Sequence, residues 1–263
     1  MDSTLAKGLS VLEWMARQPG ECRVTDVARE LGLARSNAHR TLQTLVECGW
    51  AAQNAATSAY RPSLRLFELG ALLGVDADVT VLARPHLAVL AAASGETIHL
   101  ARLDGAEIVY LDKFDSPLPV AAYSRIGGRA PACCVASGKA LLAAARPTLA
   151  QLRERFGTLK AHTPNSITDY ATLHAELERT AARGYAENRE EWRLGVCGLG
   201  APIFDARGEP VAAVGLSAPS IRFARSRVRV LAEGIRACAR DASVALGCRI
   251  DPPLVARPQS RKP

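Results

Sequence analysis

Apolar residues recur every three or four positions in the first part of the chain, which predicts three successive helices. In residues 4–18 the apolar face consists of Leu5, Leu9, Leu12 and Met15. Pro19 and the following glycine end this helix, and Thr25 is expected to cap a short second helix that Gly32 terminates. The third helix is predicted over residues 35–48, and its inward face consists of Ala38, Leu42 and Leu45.

The pattern then changes to short runs separated by small polar residues. Two short strands joined by a loop are predicted within residues 50–62, and a Leu-rich connecting helix is predicted over residues 64–73. Three helices followed by a two-stranded wing are typical of a winged helix–turn–helix domain. We therefore expect a mainly α-helical DNA-binding domain with its linker helix over residues 1–75.

The rest of the chain mixes strand and helix patterns, as expected for an α+β domain over residues 76–250. A helix over residues 82–93 is expected to be broken near its start by Pro85, and Asp104-Gly105 predicts a hairpin. The strands are predicted at residues 96–103, 107–114, 184–190, 199–205 and 211–217. The other helices are predicted at residues 136–145, 166–183 and 228–245. The Pro-rich tail over residues 251–263 is expected to be disordered.

The third predicted helix carries side chains suited to base recognition opposite its apolar face. Residues 31–46 contain no Asp or Glu, and Arg and Asn can bond guanine and adenine bidentately. Hydroxyl and N–H groups of the first turn suit a phosphate. The predicted DNA contacts are Thr25, Arg35, Ser36, Asn37, His39, Arg40, Gln43 and, just past the wing, Arg61. An ordinary solvated helix face, or a three-helix protein-interaction module, is the alternative.

Composition and charge modify this picture only slightly. The 263 residues are 48% hydrophobic, as in a globular protein, and no apolar stretch is long enough to span a membrane, so no membrane partner is expected. The net charge of +7 suggests nucleic acid as a partner. However, residues 1–75 hold eight basic and seven acidic side chains, a net charge of only +1. The DNA-binding prediction therefore depends on one helix face.

Seven cysteines, an odd number without C-x-x-C spacing, predict free and mostly buried thiols in a reducing cytoplasm. The N-terminus does not resemble a signal peptide. No metal is expected, because neither histidines nor cysteines have ligand spacing on a helix, and no cofactor is expected. Gly138-Lys139 lacks the other residues of a phosphate loop. A cytosolic enzyme using a pocket with Cys133 and Cys134 is the alternative function, and a ligand-free interaction module is another.

Residues 25–45, and Tyr60-Arg61-Pro62 with the helix after it, resemble the DNA-binding region of the IclR family of bacterial transcription regulators. Later blocks that resemble the same family lie at residues 94–100, 108–113, 138–143, 184–191 and 201–205. The resemblance covers residues 4–247. It implies a GAF-like effector domain, a homodimer or homotetramer, and a palindromic double-stranded operator. It further implies control by a small molecule, with repression the commoner mode.

Matched by position, the resemblance implies an effector pocket formed by Ala130, Ala136, Ser137, Asn188, Gly198 and Ser217. Family members often have Cys at the position of Gly198 and a second serine at the position of Gly215. Both differences remove side-chain atoms, so we expect an organic or aromatic acid that is bulkier than a small keto acid, or less carboxylate-like. Ser217 at a strand edge and Asn188 capping a turn are the purely structural alternatives.

Overall fold

The computed structural model describes three stretches of the chain, residues 3–72, 77–122 and 124–248. The chain divides into two compact units, Met1–Gly74 and Val75–Pro263. The residues on either side of the expected domain boundary, 75 and 76, and the expected tail over residues 251–263 lie outside the described residues.

The first unit has the order of elements that the hydrophobic pattern predicts. Its elements are α1 (Ser3–Ala16), α2 (Val24–Glu30), α3 (Arg35–Glu47), β1 (Ala51–Gln53), β2 (Tyr60–Pro62) and α4 (Arg65–Leu72). Strands β1 and β2 pair antiparallel. Two main-chain hydrogen bonds of 2.8 Å between Cys22 and Tyr60 join the segment before α2 to this wing. The winged helix–turn–helix prediction is confirmed.

The turn between α2 and α3 has a specific backbone geometry. Gly32 has φ +62°, the Leu33 N–H donates to the Ala28 carbonyl at 2.9 Å, and the chain thereby reverses. The start of α2 differs from the prediction. The helix begins at Val24 and the N-cap is Arg23, whose N–H donates to Asp26 Oδ2 at 3.0 Å. Thr25 therefore lies inside the first turn and is not the cap.

The core of the first unit consists of Val11, Met15, Cys22, Val27, Ala38, Leu42, Ala51 and Tyr60. Ala38 and Leu42 are fully buried as predicted, and Leu45 packs against them while half-buried. In α1, only the C-terminal half of the apolar face is buried. Leu5 and Leu9 remain 63% and 58% exposed, so this part of the helix presents an apolar surface to solvent.

The second unit is an antiparallel sheet with helices on both faces, which confirms the GAF-like α+β prediction. Its helices are α5 (Ala77–Ser94), α6 (Ala136–Ala145), α7 (Leu149–Phe156), α8 (Tyr170–Arg183) and α9 (Arg225–Ala245). Its strands are β3 (Thr97–Asp104), β4 (Glu107–Phe114), β5 (Arg129–Pro131), β6 (Ala186–Arg189), β7 (Val196–Phe204) and β8 (Pro210–Pro219). The sheet order is β5-β4-β3-β8-β7-β6.

Two hydrophobic cores lie on opposite faces of this sheet because alternate strand residues point in opposite directions. Helices α5 and α9 cover one face, and α6 and α8 cover the other. Pro85 does not break α5 as expected, since the helix runs through it to Ser94. Ala83, Leu87 and Leu90 are buried in the first core, and this packing outweighs the roughly 3 kcal/mol that an interior proline costs.

Besides a short 3₁₀ helix at Ser220–Arg222, two elements were not predicted. Strand β5 is three residues long, contains Pro131 and pairs only with β4 at the sheet edge, so it has little alternation to detect. Helix α7 has a sequence signal that could have revealed it. Thr148 accepts a hydrogen bond from the Gln151 N–H at 3.3 Å, and Gln151 Oε1 accepts one from the Thr148 N–H at 2.8 Å, the reciprocal arrangement of a capping box.

Candidate functional site

The outer face of α3 is polar and accessible, as recognition of DNA requires. Arg35, Ser36, His39, Arg40 and Gln43 are all exposed. At 3.6 residues per turn these positions fall within roughly 140° of the helix circumference. The core residues of α3 lie outside this arc. As far as Gln43 this polar face is continuous and free of acidic side chains, and the exposed Glu47 follows on the same arc at the end of the helix.

Arg40 and Asn37 form a pair on α3 that sequence reasoning did not anticipate. Arg40 Nη2 donates to Asn37 Oδ1 at 2.9 Å, and Asn37 is half-buried, outside the polar arc. Asn37 is therefore placed to orient Arg40. Arg35 makes no ion pair or hydrogen bond with the described residues, so its guanidinium is available to a ligand.

The other two predicted DNA contacts lie on other elements. Thr25 is exposed in the first turn of α2, and Arg61 is exposed on β2 opposite Ala52. Both belong to the first unit with α3. Arg29 on α2 is occupied, since it pairs with Glu30 at 3.0 Å and with Asp26 at 3.8 Å. Among the described cations of this unit that form no ion pair, Arg35 and Arg40 lie on α3 and Arg61 lies on the wing, whereas Lys7 and Arg23 lie on α1 and before α2.

In the second unit, sheet register builds a row of small and polar residues across three strands. Asn188 on β6 lies opposite Gly198 on β7, and Gly198 lies opposite Ser217 on β8. Ser217 in turn neighbours β3, where His99 lies opposite Gly215. These residues face the N-terminal residues Ala136 and Ser137 of α6. Three of the residues implied by the resemblance are thus brought side by side.

Together with α6 these residues line a recess of about 40 Å³. The lining includes Ala136, Ser137, Asn188, Gly198 and Ser217, and also His99, Tyr110, Ser124, Trp192 and Arg193. Helix α6 approaches the sheet closely, because a Cβ on Gly200 would lie 2.4 Å from the Ala136 carbonyl carbon. Ala130 is not among the lining residues. It is buried on β5 opposite Ile108 in the core on this face.

His99 is the central polar group of the recess, and sequence reasoning missed it. Its Nε2 lies 3.0 Å from Ser217 Oγ, and its Nδ1 lies 3.0 Å from Ser124 Oγ. Burial and, to a smaller extent, Lys113 lower the pKa of His99 to about 4, while Asp115 acts in the opposite direction. At neutral pH the ring is therefore uncharged, with one nitrogen donating and the other accepting.

The two glycines enlarge the recess by little, contrary to the expectation. A Cβ on Gly198 would lie 2.7 Å from the Leu216 carbonyl oxygen, so no side chain fits there. A Cβ on Gly215 would be in van der Waals contact, 3.5 Å from His99 Cδ2 and 3.4 Å from Ser137 Cβ, so Gly215 leaves room for about a methyl group. Among the described lining residues, Arg193 alone carries a charge at neutral pH. Its guanidinium lies 4.2 Å from the centre of the Trp192 ring. The recess therefore offers one cation, two aromatic rings and several hydroxyl groups.

A buried ion pair holds the elements around the recess together. Lys139 Nζ on α6 lies 2.6 and 2.7 Å from the two carboxylate oxygens of Glu191, and both residues are buried. The Glu191 N–H also donates to Asn188 Oδ1 at 2.9 Å. Glu191 is therefore a buried structural residue and not part of a solvated acidic turn.

The thiols do not form a catalytic arrangement in the part of the chain that the structure describes. All seven cysteines are free, and all except Cys48 are buried. The Cys133 and Cys134 sulfurs lie 3.6 Å apart. A hydrogen bond with Cys133, together with burial, raises the pKa of Cys134. Both nitrogens of His99 are engaged by serines, so this histidine cannot activate either thiol.

A winged helix–turn–helix unit combined with a GAF-like unit that encloses a polar recess defines a DNA-binding transcription regulator with a ligand-binding domain. Two family models match the chain. One is the IclR helix-turn-helix domain over residues 4–55, and the other is the bacterial transcriptional regulator IclR C-terminal domain over residues 74–244. The chain belongs to the IclR family. It is a transcription regulator and not an enzyme.

Similar proteins span nearly the whole chain. The HTH-type transcriptional regulator KdgR of Escherichia coli strain K12 is 32% identical over 246 residues, 93% of each chain. The HTH-type transcriptional repressor AllR of the same strain is 30% identical over 249 residues, 94% of this chain and 92% of AllR. No helix among the described residues is long and apolar enough to cross a membrane.

Solved structures share both units. The Thermotoga maritima IclR structure has a TM-score of 0.76 and 32% identity, covering 94% of this chain and all of that one. An IclR homolog from Microbacterium hydrocarbonoxydans, complexed with 4-hydroxybenzoate, has a TM-score of 0.78 and 25% identity, covering 93% of this chain and 99% of that one.

Proposed function

We propose that the protein is a cytoplasmic repressor whose affinity for a palindromic operator is controlled by a small organic acid. Residues 1–75 would hold the DNA-binding domain and its linker helix, and residues 76–250 the effector domain. The α3 face with Thr25 and Arg61 would contact the operator. The recess at Ser217 would bind the effector. The observation that carries the proposal is the convergence of small and polar residues from β6, β7, β8 and α6 on one enclosed recess.

The charge and size of the recess restrict the effector. A single cation, Arg193, balances one negative charge, and the neutral His99 with Ser217 suits a hydroxyl or carbonyl group. A volume of about 40 Å³ admits few non-hydrogen atoms. An aromatic acid, such as the 4-hydroxybenzoate bound to the Microbacterium relative, would need a wider recess. We therefore expect a monoanionic acid, with small hydroxy or oxo acids favoured.

Control of DNA binding requires that the effector favour one arrangement of the protein over another, because it can shift the equilibrium only by its differential affinity. In a homodimer, two α3 helices would read half-sites about 34 Å apart. Repression is supported by the similarity to AllR, a transcriptional repressor, and we propose that effector binding releases the DNA.

Replacing Ser217 with Phe tests the effector site. The phenyl ring would fill the recess, and His99 would lose its hydrogen-bond partner, the Ser217 hydroxyl. We therefore expect effector affinity to fall at least about tenfold while operator binding is retained. Thermal-shift screening of organic and aromatic acids, run beside an operator-binding assay, measures both. Ser226→Phe is the matched control, since Ser226 is exposed on α9. An unchanged response in Ser217→Phe would place the effector elsewhere, and conversion of the acid would indicate an enzyme.

The proposed homodimer is supported by apolar side chains that remain exposed on two helices of the first unit. In and beside α4, Leu64 is 76% and Phe67 is 74% exposed, in addition to the exposed Leu5 and Leu9 of α1. Another exposed apolar patch, at Val120, Leu194 and Ile221 of the second unit, is available for a homotetramer. Large exposed apolar patches on soluble proteins often mark contacts with a partner, and these side chains are our candidates for contacts between copies of the chain.

Phe67→Glu is expected to weaken self-association by about 2 kcal/mol or more, because an aromatic side chain that the proposed dimer would bury is replaced by a charge in both halves of a two-fold interface. Analytical ultracentrifugation over a concentration series measures the change. Glu68→Ala, at an exposed position on the same helix, is expected to leave association unaltered. A wild-type protein that sediments as a monomer at micromolar concentration would contradict the dimer.

A further inference from the structure

A second cavity lies on the opposite face of the sheet from the effector recess, between β6 and α9, and has a volume of about 350 Å³. Its floor is apolar and consists of Tyr185, Val228 and Ala232. Its rim consists of Glu187, Glu233 and four arginines, Arg189, Arg225, Arg229 and Arg236. No residue lines both cavities. We call this cavity the arginine groove.

The arginines of the groove are not fully compensated. Glu187 pairs with Arg189 at 3.0 Å. The ion pair between Glu233 and Arg229 is longer, at 4.0 Å, and therefore weaker. Arg225 and Arg236 form no ion pair or hydrogen bond with the described residues. Four arginines less two glutamates leave a net charge of +2 in the groove. Cations gathered around an apolar floor without matching anions repel one another, which an anionic ligand would relieve.

Helix α9 concentrates this charge. It carries five arginines against one Glu and one Asp, a net charge of +3. Its other two arginines are engaged, since Arg227 pairs with the buried Glu96 at 2.8 Å and Arg240 pairs with Asp241 at 3.5 Å. Arg225 and Arg236 lie eleven residues apart, roughly 16 Å along the helix. A ligand with several negative charges can bind more of these guanidinium groups at once than a monoanion can.

We propose that the arginine groove binds a small molecule carrying two or more phosphate groups. Guanidinium groups bind phosphate oxygens bidentately and keep their charge at all physiological pH values. The volume lies within the range of small-molecule sites, and the apolar floor can contact an organic portion. A DNA duplex cannot enter a recess of this size. The effector recess, with Arg193 as its one cation, and the arginine groove therefore differ in the ligand charge they accept.

Isothermal titration of the full chain with inorganic tripolyphosphate at low ionic strength tests the proposal. We expect saturable binding that weakens about tenfold to a hundredfold in Arg225→Ala and in Arg236→Ala, since each removes charge-assisted hydrogen bonds. Arg240→Ala is the matched control, because it removes an exposed arginine of α9 that does not line the groove. It is expected to bind as the wild type does. All three variants should unfold at the wild-type temperature.

Three results would overturn the proposal. Wild-type chain that does not bind tripolyphosphate would exclude the site. An equal loss in Arg240→Ala would show that binding follows net charge alone. The third result is that Arg225→Ala and Arg236→Ala bind tripolyphosphate as the wild type does, but their operator binding depends less on salt. It would assign these arginines to contacts with DNA phosphates. Ser217→Phe is expected to retain tripolyphosphate binding, so failure of the effector site and failure of the groove are distinguishable.

Discussion

Replacing Lys139 with Met is expected to lower the free energy of unfolding of the effector domain by about 3–5 kcal/mol. The substitution leaves the Glu191 carboxylate buried without its cation, although Met retains most of the aliphatic volume. Urea unfolding followed by circular dichroism measures the loss, and hydrogen exchange assigns it to α6 and β6. Arg207→Ala, which removes an ion pair of an 83% exposed side chain, is the control and is expected to cost less than about 1 kcal/mol.

This loss should depend on pH. Burial raises the pKa of Glu191 above its ordinary range even though Lys139 lowers it. A carboxyl group with a raised pKa binds its proton more readily in the folded state, so the folded state loses stability as pH rises through that pKa. Removing Lys139 removes the main lowering influence. The deficit of Lys139→Met should therefore be larger at pH 8 than at pH 5.

The double variant Lys139→Met with Glu191→Leu separates charge from packing. If the uncompensated carboxylate causes the loss, removing it should restore most of the stability. A double variant as unstable as Lys139→Met, together with a deficit that does not change with pH, would show that lost packing is responsible.

The second large effect concerns DNA. Arg35→Ala and Arg40→Ala are each expected to weaken operator binding by about 1–3 kcal/mol if each arginine contacts a base. We expect the larger loss for Arg35, because Arg40 must share its guanidinium with Asn37. Fluorescence anisotropy with operator and unrelated duplexes measures both affinity and specificity. The two variants should lose discrimination between these duplexes.

Arg17→Ala is the control for the recognition helix. Arg17 is exposed near the end of α1 and pairs with Glu13, so its removal changes the charge of the same unit without altering α3. Operator affinity that is unaltered in both α3 variants would remove this helix as the recognition element. A parallel loss for operator and unrelated DNA would limit the arginines to phosphate contacts.

Much of the fold follows from local pattern, and the contacts inside the effector domain do not. The period of Ala38 and Leu42 defines the buried face of α3, and Asp104-Gly105 marks the hairpin between β3 and β4. Each of these two sequence patterns is contained in a few neighbouring residues. Strand β5 and the continuous α5 depend on packing against distant segments, and local propensity therefore misjudges them.

The effector recess illustrates the same limit. The family resemblance implied Ser217 and Asn188, and the structure brings both to one recess with Gly198. His99 meets Ser217 across 118 residues of sequence, and Lys139 meets Glu191 across 52. A single sequence contains no signal for such pairs. The resemblance also implied Ala130, which packs in the core because β5 pairs with β4 at that point.

The strands that line the recess impose a constraint on how its ligand preference can evolve. On β8, Ser217 points toward the recess while Leu216 is buried in the core on the other sheet face. Inserting or deleting one residue would exchange these two positions and expose the core side chain. New ligand preferences can therefore arise by point substitution at alternate positions, and length changes are confined to the loops between strands.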